Sequence, residues 1–164
     1  MASRTVRIVA LVVGLGLVLT GVIRTVGHTD GSVGCGPTSL HALCSRLGMA
    51  LSYSEIVRHF NVPVDEVSFE DIQHGAAECG ISMEGKRMTL AELQRTHQLG
   101  ILHFSEGHFV ALLGYSADGI EIADPIALDQ TDSRMWSSAE LSRYWDGKIL
   151  VVDTNHVKTG PRQK

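Results

Sequence analysis

Gly34-Cys35-Gly36-Pro37-Thr38-Ser39-Leu40 (GCGPTSL) is the stretch on which the fold turns. It follows a polar, Gly-rich run, TVGHTDGSV over 25–33. It opens a segment in which Leu40, Leu43, Cys44 and Leu47 recur at three- and four-residue spacing before Gly48. That periodicity predicts an amphipathic helix with Cys35 at its start. Pro37 suits the first turn, where its missing N–H has no helical partner, and Gly48 suits the stop. A thiol so placed is activated, because the partial positive charge of a helix N-terminus stabilises its thiolate. The flanking glycines let a substrate backbone approach closely. The Cys35 backbone N–H would point toward an oxyanion forming on the attacked carbonyl. The same residues also read as a tight turn around a small buried cysteine.

Downstream, three polar pairs predict helix starts. Ser52 with Glu55 precedes Ile56, Val57 and Phe60, and Ser68 with Asp71 precedes Ile72, Ala76 and Cys79. Thr89 with Glu92 precedes Leu90 and Leu93 in the same way. Each has the spacing of a reciprocal capping box. From residue 101 the pattern changes to strand. Ile101–Phe104, His108–Tyr115 and Ile120–Ala123 are β-rich runs, with Asp118-Gly119 as a hairpin turn. Ser137 with Glu140 opens a last helix holding Leu141, Tyr144 and Trp145, and Lys148–Asp153 is a final strand. Helices first and an antiparallel sheet afterwards make an α+β domain. Trp136, Tyr144 and Trp145 are the expected aromatic anchors of the last helix on that sheet.

Upstream, Ile8–Ile23 is an uncharged, mostly apolar run of 16 residues between Arg7 and Arg24. As a helix it spans ~24 Å. It reads as a signal anchor or signal peptide over residues 1–24 that would place the body outside the cytoplasm, or release it if cleaved. A linker over 25–33, a domain over 34–154 and a flexible tail over 155–164 complete the organisation. A chain of 164 residues that is 44% hydrophobic and 20% charged suits one globular domain and not a disordered segment. Three of its 14 basic residues, Arg4, Arg7 and Arg24, precede residue 25, where no acid occurs. The remainder therefore sets 11 basic against 18 acidic side chains, which argues against nucleic acid as a partner. Three cysteines are too few for a disulfide scaffold.

A nucleophilic Cys35 needs a base, and the base needs an orienting group. Gly107-His108-Phe109-Val110 puts a histidine at the head of an apolar strand, and Ile122-Ala123-Asp124-Pro125 puts an aspartate at the end of the next. Simple pairing around an Asp118-Gly119 turn sets Asp124 opposite Leu113 and His108 opposite Asp129. A bend at Pro125 or a bulge is then needed to bring His108 and Asp124 together. Each residue also has an ordinary reading, a strand-end histidine and an Asp-Pro turn opener.

The order Cys-Gly-Pro-x-Ser-Leu, Gly-His-Phe-Val and Asp-Pro resembles the bacteriocin-processing cysteine peptidases, the papain-like double-glycine leader peptidases. The resemblance runs from about Gly34 to Val152. It implies a papain-like α+β fold, with the nucleophile helix packed on the sheet. It further implies Cys35 as nucleophile, His108 as general base and acid, and Asp124 as the group that orients the imidazole. The substrate implied is a peptide or leader, cut after small residues in a pocket near Gly34 and Gly107, and the partner implied is a membrane transporter or secretion machinery. In that family a glutamine upstream of the nucleophile completes the oxyanion hole. Here Thr29 stands nearest that place, with His28 and Ser32 as substitutes and the Cys35 N–H as the backbone donor. A second reading follows from the missing glutamine: a weak or inactive peptidase-like module that holds a peptide for a transport partner. A transacylase or amidase using the same three residues is a third.

No cofactor is expected. His103 and His108 have H-x4-H spacing, and His28, Cys35 and His41 lie near in sequence, but no C-x2-C pair accompanies them. Cys44 and Cys79 read as small core residues, or as a disulfide pair if the domain is extracytoplasmic.

Overall fold

A computed structural model describes residues 34–125 and 132–153. The segment 1–24, the linker 25–33 with Thr29, His28 and Ser32, and the tail 155–164 lie outside the described residues. Among the described residues no helix is long and apolar enough to cross a membrane.

The elements run α1 (Cys35–Arg46), α2 (Tyr53–Val57), α3 (Phe69–Glu78), β1 (Met83–Arg87), α4 (Leu90–Thr96), β2 (Gly100–Phe104), β3 (His108–Ser116), β4 (Gly119–Ala123), β5 (Arg134–Trp136), α5 (Ser138–Tyr144) and β6 (Trp145–Val152). The described strands form one sheet in the order β1-β6-β2-β3-β4-β5, antiparallel at every junction.

The predicted helix starts follow from local chemistry. Ser52, Ser68 and Thr89 each accept from the backbone N–H three residues on, while Glu55, Asp71 and Glu92 accept from the cap's own N–H. These bonds satisfy donors that a helix end otherwise leaves bare. Ser137 caps α5 in the same way, but the Glu140 carboxylate turns to Arg134 at 2.8 Å instead of closing the box.

Both sheet faces are covered. Leu40, Leu43 and Cys44 of α1 pack with Ile56, Ile72 and Ala76 on one face, over Ile101, Phe109, Ala111 and Leu113. Leu93 and Leu141 close the other face over Leu102, Val110, Leu112, Ile120, Ile122, Trp136 and Trp145. Burial on both sides explains why β3 is an unbroken apolar run rather than an alternating one. Two strands escape the sequence reading. β1 (MEGKR) buries only Met83 and sits at the sheet edge, and β5 has three residues. Tyr144 corrects the aromatic-anchor expectation. It is 47% exposed, stacked on Phe104 at 5.8 Å, whereas Trp136 and Trp145 are buried.

The hairpin is also corrected. Its turn is Ala117-Asp118, with Ser116 paired to Gly119, because Gly119 lies against the neighbouring strand. A Cβ there would sit 2.4 Å from the Trp136 carbonyl oxygen, and φ is +141°. Farther along, the β3–β4 register shifts between Leu112 and Gly114, leaving Leu113 as an extra residue. The shift changes facing parity. Leu113 packs with α1 and Tyr115 with the opposite cluster, although they are two apart.

Candidate active site

Cys35 is the first residue of α1, and the residue before it, Gly34, has an extended conformation and no capping side chain. The first-turn N–H groups are thus left for the thiol and for a ligand. Gly34 is dictated by crowding, since a Cβ would fall 1.9 Å from the Val64 carbonyl oxygen. At the second glycine of the expected small-residue pocket, Gly107, a Cβ would meet open space. Behind the thiol, the Thr38 hydroxyl donates to the Gly34 carbonyl at 2.9 Å and the Ser39 hydroxyl donates to the Phe109 carbonyl at 3.0 Å. Both hydroxyl residues are buried. Ser39 is thereby the bolt between α1 and β3.

His108 begins β3 directly after a turn in which Gly107 adopts φ +78° and donates its N–H to Phe104. Asp124 follows the last residue of β4. With Ala111 opposite Ala123, the register continued by one step sets Asp124 against Val110, on the same side as His108. The extra residue at Leu113 and the Ala117-Asp118 turn together supply the correction that simple pairing lacked.

His108 Nε2 lies 2.7 Å from Asp124 Oδ1, with both side chains largely buried. A carboxylate accepts, so Nε2 carries the proton it donates, and Nδ1 becomes the basic nitrogen. Nδ1 is buried without a hydrogen-bond partner, and Cys35 is the group besides Asp124 that acts on the imidazole. Burial alone would raise the Cys35 thiol and lower the His108 imidazole. Hydrogen bonds from His108, the Phe109 backbone and the Gly36 backbone, with the charge on His108, bring Cys35 below its ordinary value. Hydrogen bonds to Asp124 and Cys35, and their charges, raise His108 to about 9. The arrangement favours a thiolate beside an imidazolium.

The structure thus brings Cys35, His108 and Asp124 to one place, while Thr29, His28 and Ser32 lie outside the described residues. His103 does not join His108. It pairs with Asp146, Nδ1 to Oδ2 at 2.9 Å. His41 faces the Tyr53 ring. Cys44 and Cys79 are free thiols hydrogen bonded to each other, Cys44 buried and Cys79 half-buried. Sequence reasoning missed the Ser39 bolt and the His103–Asp146 pair. Ser39 stood in the quoted motif, but nothing in the sequence names the Phe109 carbonyl as its acceptor.

Comparison with known proteins gives relatives in sequence and in fold. The sequence is 25% identical over 119 residues to an uncharacterised protein of Methanothermobacter marburgensis, covering 73% of this chain and 81% of that protein. It is 26% identical over 125 residues to the colicin V secretion/processing ATP-binding protein CvaB of Escherichia coli. That match covers 76% of this chain but 17% of CvaB, so the chain spans less than a fifth of that relative's length. Among solved structures, a double glycine motif protease from an AMS/PCAT transporter, in complex with its leader peptide, superposes with a TM-score of 0.63 at 20% identity, over 75% of this chain and 86% of that one. The N-terminal peptidase C39 like domain of a toxin secretion ATP-binding protein from Vibrio parahaemolyticus also gives 0.63, at 15% identity, over 74% and 97% of the two chains. Both likenesses concern the fold. The sequence profile of the peptidase C39 family matches residues 26–156. With α1, the sheet and the Cys35–His108–Asp124 cluster all inside that span, the chain belongs to the peptidase C39 family.

Proposed function

We propose that this protein is a cysteine peptidase that cuts a peptide or leader substrate after small residues, using Cys35, His108 and Asp124. The observation that carries the reading is the 2.7 Å His108–Asp124 pair, which leaves Nδ1 for the thiol at the head of α1. His108 Nδ1 takes the Cys35 proton, and the thiolate attacks the scissile carbonyl carbon to form a tetrahedral oxyanion. The Cys35 N–H is the backbone donor proposed for that oxygen, with Thr29 as the side-chain donor to join it. His108 then protonates the departing amine as the C–N bond breaks, leaving a thioester on Cys35. In the second half His108 deprotonates water, the thioester is hydrolysed, and the thiolate is restored. Asp124 holds the productive tautomer and stabilises the imidazolium. Transport-linked relatives support a secretion partner and a leader peptide as substrate. The apolar run at 8–23 supports an anchored body outside the cytoplasm, which protease accessibility on intact cells would test.

The test uses a peptide ending in Gly-Gly and carrying a thiol-reactive group, with adducts mapped by mass spectrometry. Rapid, selective modification of Cys35 that collapses in His108→Ala is the expected result. Slow and equal modification of all accessible cysteines would favour the peptide-holding module instead.

A further inference from the structure

A second histidine–carboxylate pair stands behind the nucleophile. His103, in β2, is the Cα partner of Phe109 in β3, next to the partnered Phe104 and His108. Its Nδ1–H donates to Asp146 Oδ2 at 2.9 Å. Asp146 is itself fixed by the Lys148 ammonium at 2.8 Å and by the Lys148 backbone N–H at 3.0 Å. Burial pushes the Asp146 carboxyl up, but Lys148 and His103 hold it below the ordinary carboxylate value.

The fold is deformed to make this contact. Phe104 pairs with Trp145 and Leu102 with Ile149, so Asp146, Gly147 and Lys148 of β6 stand opposite the single residue His103. Gly147 takes φ +87° to carry the bulge. Bulges of this kind re-aim a side chain at the cost of ladder bonds, and the side chain re-aimed here is Asp146.

The His103 ring, so held, packs on Phe109 with centroids 5.4 Å apart, and Phe69 closes the group at 5.7 Å from His103 and 5.2 Å from Phe109. Phe109 is the residue whose backbone serves α1 twice. Its carbonyl accepts from Ser39 at 3.0 Å, and its N–H is among the groups that favour the Cys35 thiolate. Contacts therefore run Lys148–Asp146–His103–Phe109, and Phe109 in turn joins the nucleophile helix through Ser39.

We propose that His103, locked by Asp146, is a positioning residue that holds the Phe109 backbone N–H on the Cys35 thiolate. The proposal rests on the peptidase reading above, and it assigns His103 no contact with substrate. With His103 free to turn, the Phe109 ring loses one wall, and the N–H that follows its backbone loses aim at sulfur. The thiolate then loses a donor that its neutral form needs less.

The test compares the full-length chain with His103→Ala, His103→Phe and Asp146→Asn. The rate of iodoacetamide labelling at Cys35 is followed against pH by peptide mass mapping, beside kcat and KM on a peptide the wild type cleaves. The acid limb of Cys35 labelling is expected to move up by about one pH unit in His103→Ala, a roughly ten-fold loss of rate on that limb. His103→Phe, which keeps the ring packing but not the Asp146 bond, and Asp146→Asn should move it the same way. In all three kcat should fall with KM unchanged. Loss of packing alone would lower the melting temperature without moving the limb. If His103→Ala does not fold, the two milder variants decide. A wild-type limb below that of free cysteine that stays in place in the folded variants overturns this inference alone. A wild-type limb no lower than that of free cysteine overturns the thiolate reading, and this inference with it.

Discussion

Cys35 is pulled in two directions. Burial favours its neutral thiol, while His108 and the N–H groups of Phe109 and Gly36 favour the thiolate and prevail. His108 is pulled likewise, and its partners raise it from 6.5 to about 9. The ion pair therefore occupies the pH window between the lowered thiol and the raised imidazole. A raised histidine stabilises the fold fully below its unfolded value of 6.5, and that contribution disappears as pH rises through about 9. Chemistry should divide at the same point. Above about pH 9 peptide cleavage should decline, because His108 has no proton for the leaving amine, while alkylation of Cys35 should not. A decline of both together in a stopped-flow pH series would contradict this assignment. Asp124→Asn removes the charge that raises His108. It should bring the alkaline limb down and slow cleavage by on the order of 10²–10⁴, the usual range for acid–base assistance. An unmoved limb would mean that Asp124 does not set the imidazole.

At the scale of elements, the junction of α1 and β3 governs the site, and one hydroxyl crosses it. Ser39→Ala leaves the Phe109 carbonyl without its buried donor, at a cost of about 1–3 kcal/mol. Urea unfolding should show that loss, and Cys35 labelling should slow with it. Unchanged labelling at reduced stability would confine Ser39 to packing. The helix starts at Ser52, Ser68, Thr89 and Ser137 were legible because caps act over three residues, within reach of a reading along the chain. The hairpin register was not. It depends on Gly119 fitting against Trp136 of β5 and on an extra residue at Leu113, and both are contacts with neighbouring strands. β1 was missed for a related reason. Its edge position leaves charged side chains in solvent, so no alternation marks it.

At the scale of the molecule, the sheet separates two apolar clusters among the described residues, and only one of them includes side chains of the nucleophile helix. Leu43 of α1 and Leu141 of α5 are each fully buried, on opposite faces. Leu43→Ala and Leu141→Ala should each cost about 2–5 kcal/mol. Their effects should add within about 0.5 kcal/mol, since the two sites share no partner. Cys35 labelling should respond to the first and not the second. Strong coupling in the double variant would show that the sheet transmits strain between its faces. The sequence by itself determined what is local or periodic: the Cys35 helix and its stop, the caps, most strands, the α+β order and the three residue types of the site. Helical period and cap spacing act over a few residues, so a linear reading contains them. Only the tertiary structure decided that His108 and Asp124 meet, that Ser39 bonds Phe109, and that a bulge in β6 sets Asp146 on His103. Those contacts join residues 16, 70 and 43 positions apart. Their geometry is fixed by strand register and packing, which no stretch of sequence carries alone.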